Sequence, residues 1–384
     1  MSSEVFNKQN LKRHALVAKQ LAKWILKNIF NVFILLYFLA IWRIPGIRSI
    51  FYREVIALQN IFSSTRFYWQ FLDSQYRSDL SVYQEYVAEN SYDVVYGRQV
   101  DFLVSLERVI RENDFDSIVA EQKHEELTWV MSTGRCGVDA IDRYFKMSEA
   151  HNSVHREFYK DEKYYEFKST WTTKSYELSK IFYNNATDAE IKSIITGFLE
   201  RRMKTIRRRG EKRWVFCEHV DTVWLPIILR IFPSSKIVFL FKNPHDVITS
   251  YMSKQLYTSA QEMPLSKSQD KLEFKTLFGL MCWFHTYINM YINIHCDLIE
   301  DDRRILRING LDLFRKDPGT HSKLNDFMSM QTPLEKYNEH FSGRYNSQLR
   351  RAELSQFPRK ENWPDSYHEL LNLFSSQIDH NIRH

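Results

Sequence analysis

Phe232-Pro233-Ser234-Ser235-Lys236-Ile237-Val238-Phe239-Leu240-Phe241-Lys242-Asn243-Pro244-His245-Asp246-Val247-Ile248-Thr249-Ser250-Tyr251 carries a turn, a strand and a helix start in immediate succession. Lys236 to Phe241 is almost wholly apolar and β-favouring, as a strand buried on both faces of a parallel sheet must be. Lys242 stands at the C-terminal end of that strand. Asn243 is a good N-cap and Pro244 a good first helical residue, so a helix starts at once and carries Ser250 near the end of its second turn. Ligands of open α/β sheets collect at such strand ends, so a cation and a hydroxyl face a crevice there.

About a hundred residues upstream the same grammar occurs. Leu127-Thr128-Trp129-Val130-Met131 reads as a strand and Val138-Asp139-Ala140-Ile141 as a helix start, with Ser132-Thr133-Gly134-Arg135-Cys136-Gly137 between them. Two glycines let backbone N–H groups converge on an anion, the following helix offers its positive end, and Arg135 adds a full charge. A tight turn alone explains the glycines equally simply. Gly-Lys-Ser/Thr is absent, which argues against a magnesium-dependent nucleotide hydrolase.

Together the two segments resemble the PAPS-dependent sulfotransferase family, whose members carry a 5′-phosphosulfate loop after the first strand. A later strand reads hydrophobics-Arg-Asn/Asp-Pro-x-Asp-x-x-x-Ser-Tyr. Ile305-Leu306-Arg307-Ile308-Asn309-Gly310-Leu311-Asp312-Leu313 is similar to the family's Arg-Tyr-Glu-Asp-Leu strand, and Phe357 to Trp363 to its C-terminal basic loop, so the resemblance runs from about residue 125 to 370. It implies an α/β fold, a P-loop-like three-layer sandwich with a central parallel sheet. It also implies sulfuryl transfer from 3′-phosphoadenosine 5′-phosphosulfate, as co-substrate, to a hydroxyl of a carbohydrate or lipid, with no metal. By the same resemblance Thr133, Gly134, Arg135, Cys136 and Gly137 meet the 5′ end of the donor, Lys242 and Ser250 its 3′-phosphate, and Arg359 and Lys360 complete the donor site.

The chemistry needs a base for the acceptor proton and cations on the developing leaving-group charge. Arg213 to Cys217 reads as a strand, Glu218-His219 as the loop at its end, and Thr222 to Ile231 as a helix. His219 is the first choice as base and Glu218 the second, since an imidazole titrates near neutrality unaided. A solvent-facing loop histidine is the plain alternative. Arg135 is expected by the bridging oxygen or the 5′-phosphate, where it would stabilise departing charge as well as bind donor. The chain departs from the family pattern where Val138 and Asp139 replace Ser or Thr after the loop, and where Lys242 replaces Arg and loses its two-pronged fork. These departures keep two rivals open: an inactive sulfotransferase-like protein that binds a nucleotide or glycan, and a membrane-associated scaffold.

The 384 residues, 44% hydrophobic and 15% aromatic, suffice for one large core with a helical addition. A net charge of +6 gives no sign of nucleic-acid binding. Residues 201–213 hold eight cations, read as a solvated helix face or as a patch for an anionic acceptor or membrane surface. Asn28 to Trp42 carries no charge; counted from Trp24, a helix there spans about 28 Å, close to a bilayer core. Lys8, Lys12, Arg13, Lys19, Lys23 and Lys27 precede it, so a retained anchor is expected, with the N-terminus cytosolic and the catalytic part in a lumen, as in Golgi members of the family. Arg43, Arg48 and Arg53 pull the other way, and an interfacial helix or a buried core helix remains open.

The expected organisation is a basic N-terminus and anchor helix at 1–45, a helical neck or cap at 46–122 and the α/β domain at 123–384. Asn185-Ala186-Thr187 is the one glycosylation sequon. Cys136, Cys217, Cys282 and Cys296 are too scattered for a disulfide framework, and no Cys/His spacing suggests zinc. Cys282 and Cys296 are expected on one helix from about Leu272 to Leu298. Cys136 is either a thiol activated by nearby cations or a small buried filler. The stretch from His151 to Arg213 reads as an insertion between the first two sheet strands, its Phe158, Tyr159, Tyr164, Tyr165, Trp171 and Tyr176 forming an acceptor groove or capping the sheet.

Overall fold

The computed structural model describes residues 80–115, 117–118, 127–148, 151–154, 177–207, 213–217, 219–254, 277–299, 302–342, 360–363 and 365–379. All lie in one compact unit, Phe71–His384. Residues 24–42, where the sequence places an anchor, fall outside them, as do the aromatic residues 158–176. Among the described residues no helix is long and apolar enough to cross a membrane.

Five parallel strands form the sheet: β1 (Leu127–Met131), β2 (His151–Val154), β3 (Arg213–Phe216), β4 (Lys236–Phe241) and β5 (Ile305–Asn309), in the order β2-β3-β1-β4-β5. Every residue of β1 is buried, so the sheet is covered on both faces at its centre, whereas edge strand β5 is mostly half-exposed. Trp129 of β1 pairs in register with Phe216 and Ile237, and its ring stacks on Phe216 at 4.3 Å. The order places the ends of β1 and β4 side by side, bringing two segments a hundred residues apart onto one rim.

Two expectations change here. The second strand in sequence is His151–Val154, so the supposed insertion begins inside the sheet; an edge strand of His-Asn-Ser-Val needs little apolar surface and leaves no hydrophobic run to read. The expected strand from Ile305 to Leu313 stops at Asn309, because the Asn309 side chain accepts the Leu311 N–H at 3.0 Å and caps a helix.

Helices α1 (Leu80–Glu89) and α2 (Tyr92–Glu112) precede the sheet, and α3 (Val138–Lys146) follows β1. Next come α4 (Asp188–Arg207), α5 (Leu225–Ile231) and α6 (Pro244–Lys254). Then follow α7 (Leu277–Asp297), α8 (Gly310–Arg315), α9 (Pro318–Met328), α10 (Leu334–Ser342) and α11 (Asp365–Asp379). The apolar helix α7 packs against α11, α6 and α2, and α2 in turn against α4. Cys282 and Cys296 both ride on α7, buried.

Inside this packing Trp283 Nε1 donates to Tyr86 Oη at 2.9 Å, and His295 Nε2 meets Gln99 Oε1 at 3.1 Å. Burial pushes His295 from 6.5 down to about 3 and His285 to about 4. Between pH 6.5 and those values the unfolded chain binds protons that the folded chain refuses, so stability falls as pH falls through that window, by on the order of 3 kcal/mol per histidine. Thermal midpoints should drop between pH 6.5 and 4, and a His285→Gln/His295→Gln variant should show a flatter profile; an equal slope would assign the acid loss to other groups.

The basic run also divides. Arg202 is fully buried beneath the sheet's aromatic residues, following Ile195, Phe198 and Leu199 on the apolar face of α4. It is therefore not part of a solvated face.

Candidate functional site

The loop 132–137 joins β1 to α3 in a tight left-handed path. Gly134 has φ 77°, Arg135 φ 61° and Gly137 φ 110°. A left-handed arginine is strained by about 1–2 kcal/mol, so flanking structure must hold it. Within the loop, Ser132 Oγ accepts the Gly134 N–H at 2.9 Å, and the Cys136 thiol donates to Gly134 O at 3.2 Å. From outside, Tyr251 Oη donates to Thr133 O at 2.7 Å, and Thr222 Oγ1 to Ser132 O at 3.5 Å. A methyl on Gly310 would lie 2.0 Å from Cys136 O, so the end of β5 presses its bare backbone against the loop.

The second segment folds as its residues dictate. Asn243 Oδ1 accepts the His245 N–H at 2.9 Å and caps α6, whose Ser250 and Tyr251 return to the phosphate-loop candidate. Arg135 Nε donates to Ser250 Oγ at 3.1 Å, across 115 residues of sequence. Lys242 is half-buried with its amine 5.4 Å from the Phe314 ring. Its pKa is lowered first by desolvation and further by Arg135, against the opposite pull of Cys136 and Asp246. Two cations thus feel each other at one rim, an arrangement that an anion between them would relieve. His285 Nε2 lies 3.2 Å from the Lys242 carbonyl and 3.1 Å from Asn289 Nδ2.

Cys136 is buried and its thiol is pushed up to about 11 by desolvation, with Thr133, Lys242 and Arg135 opposing. Its burial, with the thiol shifted upward, fits the reading of a small neutral filler of the loop. Lys360 opens a short 3-10 turn, Lys360–Asn362, and is exposed, but its charge helps to lower the His245 pKa after desolvation, so it stands near the start of α6. His245 stacks on Trp363 at 5.3 Å. Arg359 lies outside the described residues.

Of the base candidates, Glu218 also lies outside them. His219 opens a 3-10 turn, His219–Trp224, directly after β3 and beside β1. The helix expected from Thr222 therefore begins only at Leu225, with Pro226 in its first turn. Asp139 sits in the first turn of α3, half-exposed.

Sequence reasoning missed Gly310 and Phe314. A glycine immediately after a strand pattern is a sign of close backbone approach and was available at Asn309-Gly310. Phe314, more than a third exposed, carries no such sign, since its place beside Gly137 and Lys242 depends on how α8 leaves the sheet. Among the described residues no cluster of His, Cys, Asp or Glu could hold a metal ion.

A family model described as the sulfotransferase family matches residues 139–333. No curated protein matches the sequence. Among solved structures, the chain is similar to the sulfotransferase domain from the curacin biosynthetic pathway at 12% identity, with 67% of this chain and 98% of that one covered and a TM-score of 0.42. The sulfotransferase domain of the olefin synthase from Synechococcus PCC 7002 gives 13%, 66%, 96% and 0.38 for the same measures. Sulfotransferase STF1 from Mycobacterium tuberculosis H37Rv gives 12%, 78%, 92% and 0.34.

Proposed function

Because the chain belongs to the sulfotransferase family, we propose that it transfers a sulfuryl group from 3′-phosphoadenosine 5′-phosphosulfate to a hydroxyl of a carbohydrate or lipid acceptor. The observation that carries this reading is the convergence of Arg135, Ser250 and Lys242 on one rim, with Arg135 and Ser250 in direct contact. Residues 133–137 hold the 5′ end of the donor, while Lys242, Ser250 and Lys360 address the 3′-phosphate. Donor binding exchanges the bond between Arg135 and Ser250 for bonds to the ligand.

In the transfer the acceptor oxygen bonds to sulfur as the bond from sulfur to the bridging oxygen breaks. The electron pair leaves with 3′,5′-adenosine bisphosphate, where Arg135 stabilises the new charge. The acceptor proton passes to His219 or, failing that, to Glu218. Radiolabelled donor offered with glycans, glycolipids and phenols should label one of the first two classes, and labelling of phenols alone would overturn the acceptor assignment.

Lys242→Met and Ser250→Ala should each lower affinity for 3′,5′-adenosine bisphosphate by about tenfold and leave adenosine 5′-monophosphate binding nearly unchanged. Equal losses for both nucleotides would remove the two residues from the 3′-phosphate.

Asp139 favours a second reading. A carboxylate in the first turn of α3 repels a phosphate at that helix end, which suits a protein that binds nucleotide or glycan without turnover. Bisphosphate binding with no labelled acceptor would select it. The proposal also places the chain on a Golgi membrane through residues 24–42, with the α/β part lumenal. A C-terminal epitope digested by protease in intact vesicles would contradict that placement.

A further inference from the structure

Arg202 and Asp221 form an ion pair with neither side chain exposed by more than 1%. The guanidinium Nη2 bonds both oxygens of the carboxylate, and its carbon lies 4.9 Å from the Phe216 ring and 5.7 Å from that of Trp129. Such a pair is a poor device for stability, because desolvating two charges offsets their attraction and apolar residues of similar volume serve as well. What it supplies is a fixed direction.

The direction matters because of what surrounds Asp221. Four consecutive residues of the turn His219–Trp224 are each tied to a different part of the fold. Asp221 is held by α4, and Thr222 Oγ1 reaches Ser132 O in the loop after β1. Val223 O accepts from Tyr291 Oη of α7 at 3.0 Å, and Trp224 Nε1 donates to Glu177 Oε2 at 2.8 Å. Asp221 lies two residues after His219, and Thr222 couples the same turn to the residues proposed to hold the donor's 5′ end.

We propose that Arg202 and Asp221 are a positioning pair, which fixes the turn His219–Trp224 against the loop 132–137 so that the base at its start meets the acceptor oxygen in line with the donor. This rests on the reading of His219 or Glu218 as base. A shift of the turn by about 1 Å costs on the order of a hundredfold in rate without touching the donor's own contacts.

The test uses the full chain and its Arg202→Met/Asp221→Leu variant, with three readouts. These are the thermal midpoint, the Kd for 3′,5′-adenosine bisphosphate and the release of labelled sulfate from radiolabelled donor into water. The variant should keep or raise its midpoint, bind bisphosphate within about threefold, and release sulfate about a hundredfold more slowly. Release within about threefold of the parent would overturn the proposal, as would a parallel fall in all three readouts. Should the double variant not fold, Arg202→Lys, which keeps the cation and loses the guanidinium's grip on both carboxylate oxygens, decides by bisphosphate affinity and sulfate release.

Amide exchange in residues 217–224 is read on the same proteins and needs no turnover. Faster exchange confined to that turn supports the pair, and unchanged exchange overturns it even if the parent proves inactive. His219→Ala separates the two ideas: undiminished release in that variant removes His219 as base, while the pair stands or falls on the double variant.

Discussion

Gly310→Ala should abolish nucleotide binding and lower stability by about 3 kcal/mol or more, at or beyond the upper end of ordinary overpacking. The added methyl would lie 2.0 Å from Cys136 O and 3.0 Å from Cys136 C, and both are backbone atoms that no rotamer change can move. Either α8 withdraws from the rim or the loop 132–137 is pushed off its path. The second outcome is the more damaging for function, because the loop is already held at φ 77°, 61° and 110° by its neighbours. Bisphosphate affinity should fall at least about a hundredfold. Gly97→Ala is the matched control: nothing lies within 4 Å of its would-be methyl, and it sits inside α2, so it should stabilise by about 0.5–1 kcal/mol. A Gly310→Ala protein that melts and binds like the parent would show that the contact relaxes freely and carries no constraint.

Arg135→Ala should lower turnover about a hundred- to a thousandfold, the usual effect of removing a group that stabilises developing charge. It should weaken bisphosphate binding only about tenfold. The inequality is the informative part, since a residue acting mainly on the departing oxygen affects the transition state more than the product complex. Equal losses would make Arg135 a binding residue only. The backbone adds an independent expectation. At φ 61° a glycine is unstrained, so Arg135→Gly should be about 1 kcal/mol more stable than Arg135→Ala while equally inactive. An arginine held in a conformation that favours glycine is a stability sacrifice placed where a cation is needed.

Much of this site is legible before any coordinates, for reasons that differ by element. Lys236 to Phe241 followed by Asn243-Pro244 could be read because a central strand needs an unbroken apolar run and a helix cap needs a short polar acceptor, and both needs are local. The approach of Ser250 to Arg135 is not local; it follows from the strand order, which sets β4 beside β1 with a crossover between them. Strand β2 escaped notice because His151 to Val154 lie at an edge, where polar residues are tolerated. Arg202 was concealed by its neighbours: six of the thirteen residues from 201 to 213 are arginine, yet the spacing from Ile195 through Phe198 and Leu199 to Arg202 already follows the buried face of α4. Charge density hid a periodicity that would have placed that one cation inside.

The most direct measurement is a calorimetric titration of the full chain with 3′,5′-adenosine bisphosphate and, separately, with adenosine 5′-monophosphate. If Arg135, Lys242 and Ser250 line one pocket for a doubly phosphorylated adenosine, the bisphosphate binds at least about tenfold tighter than the monophosphate. Equal affinities, or no heat with either ligand at millimolar concentration, would contradict it.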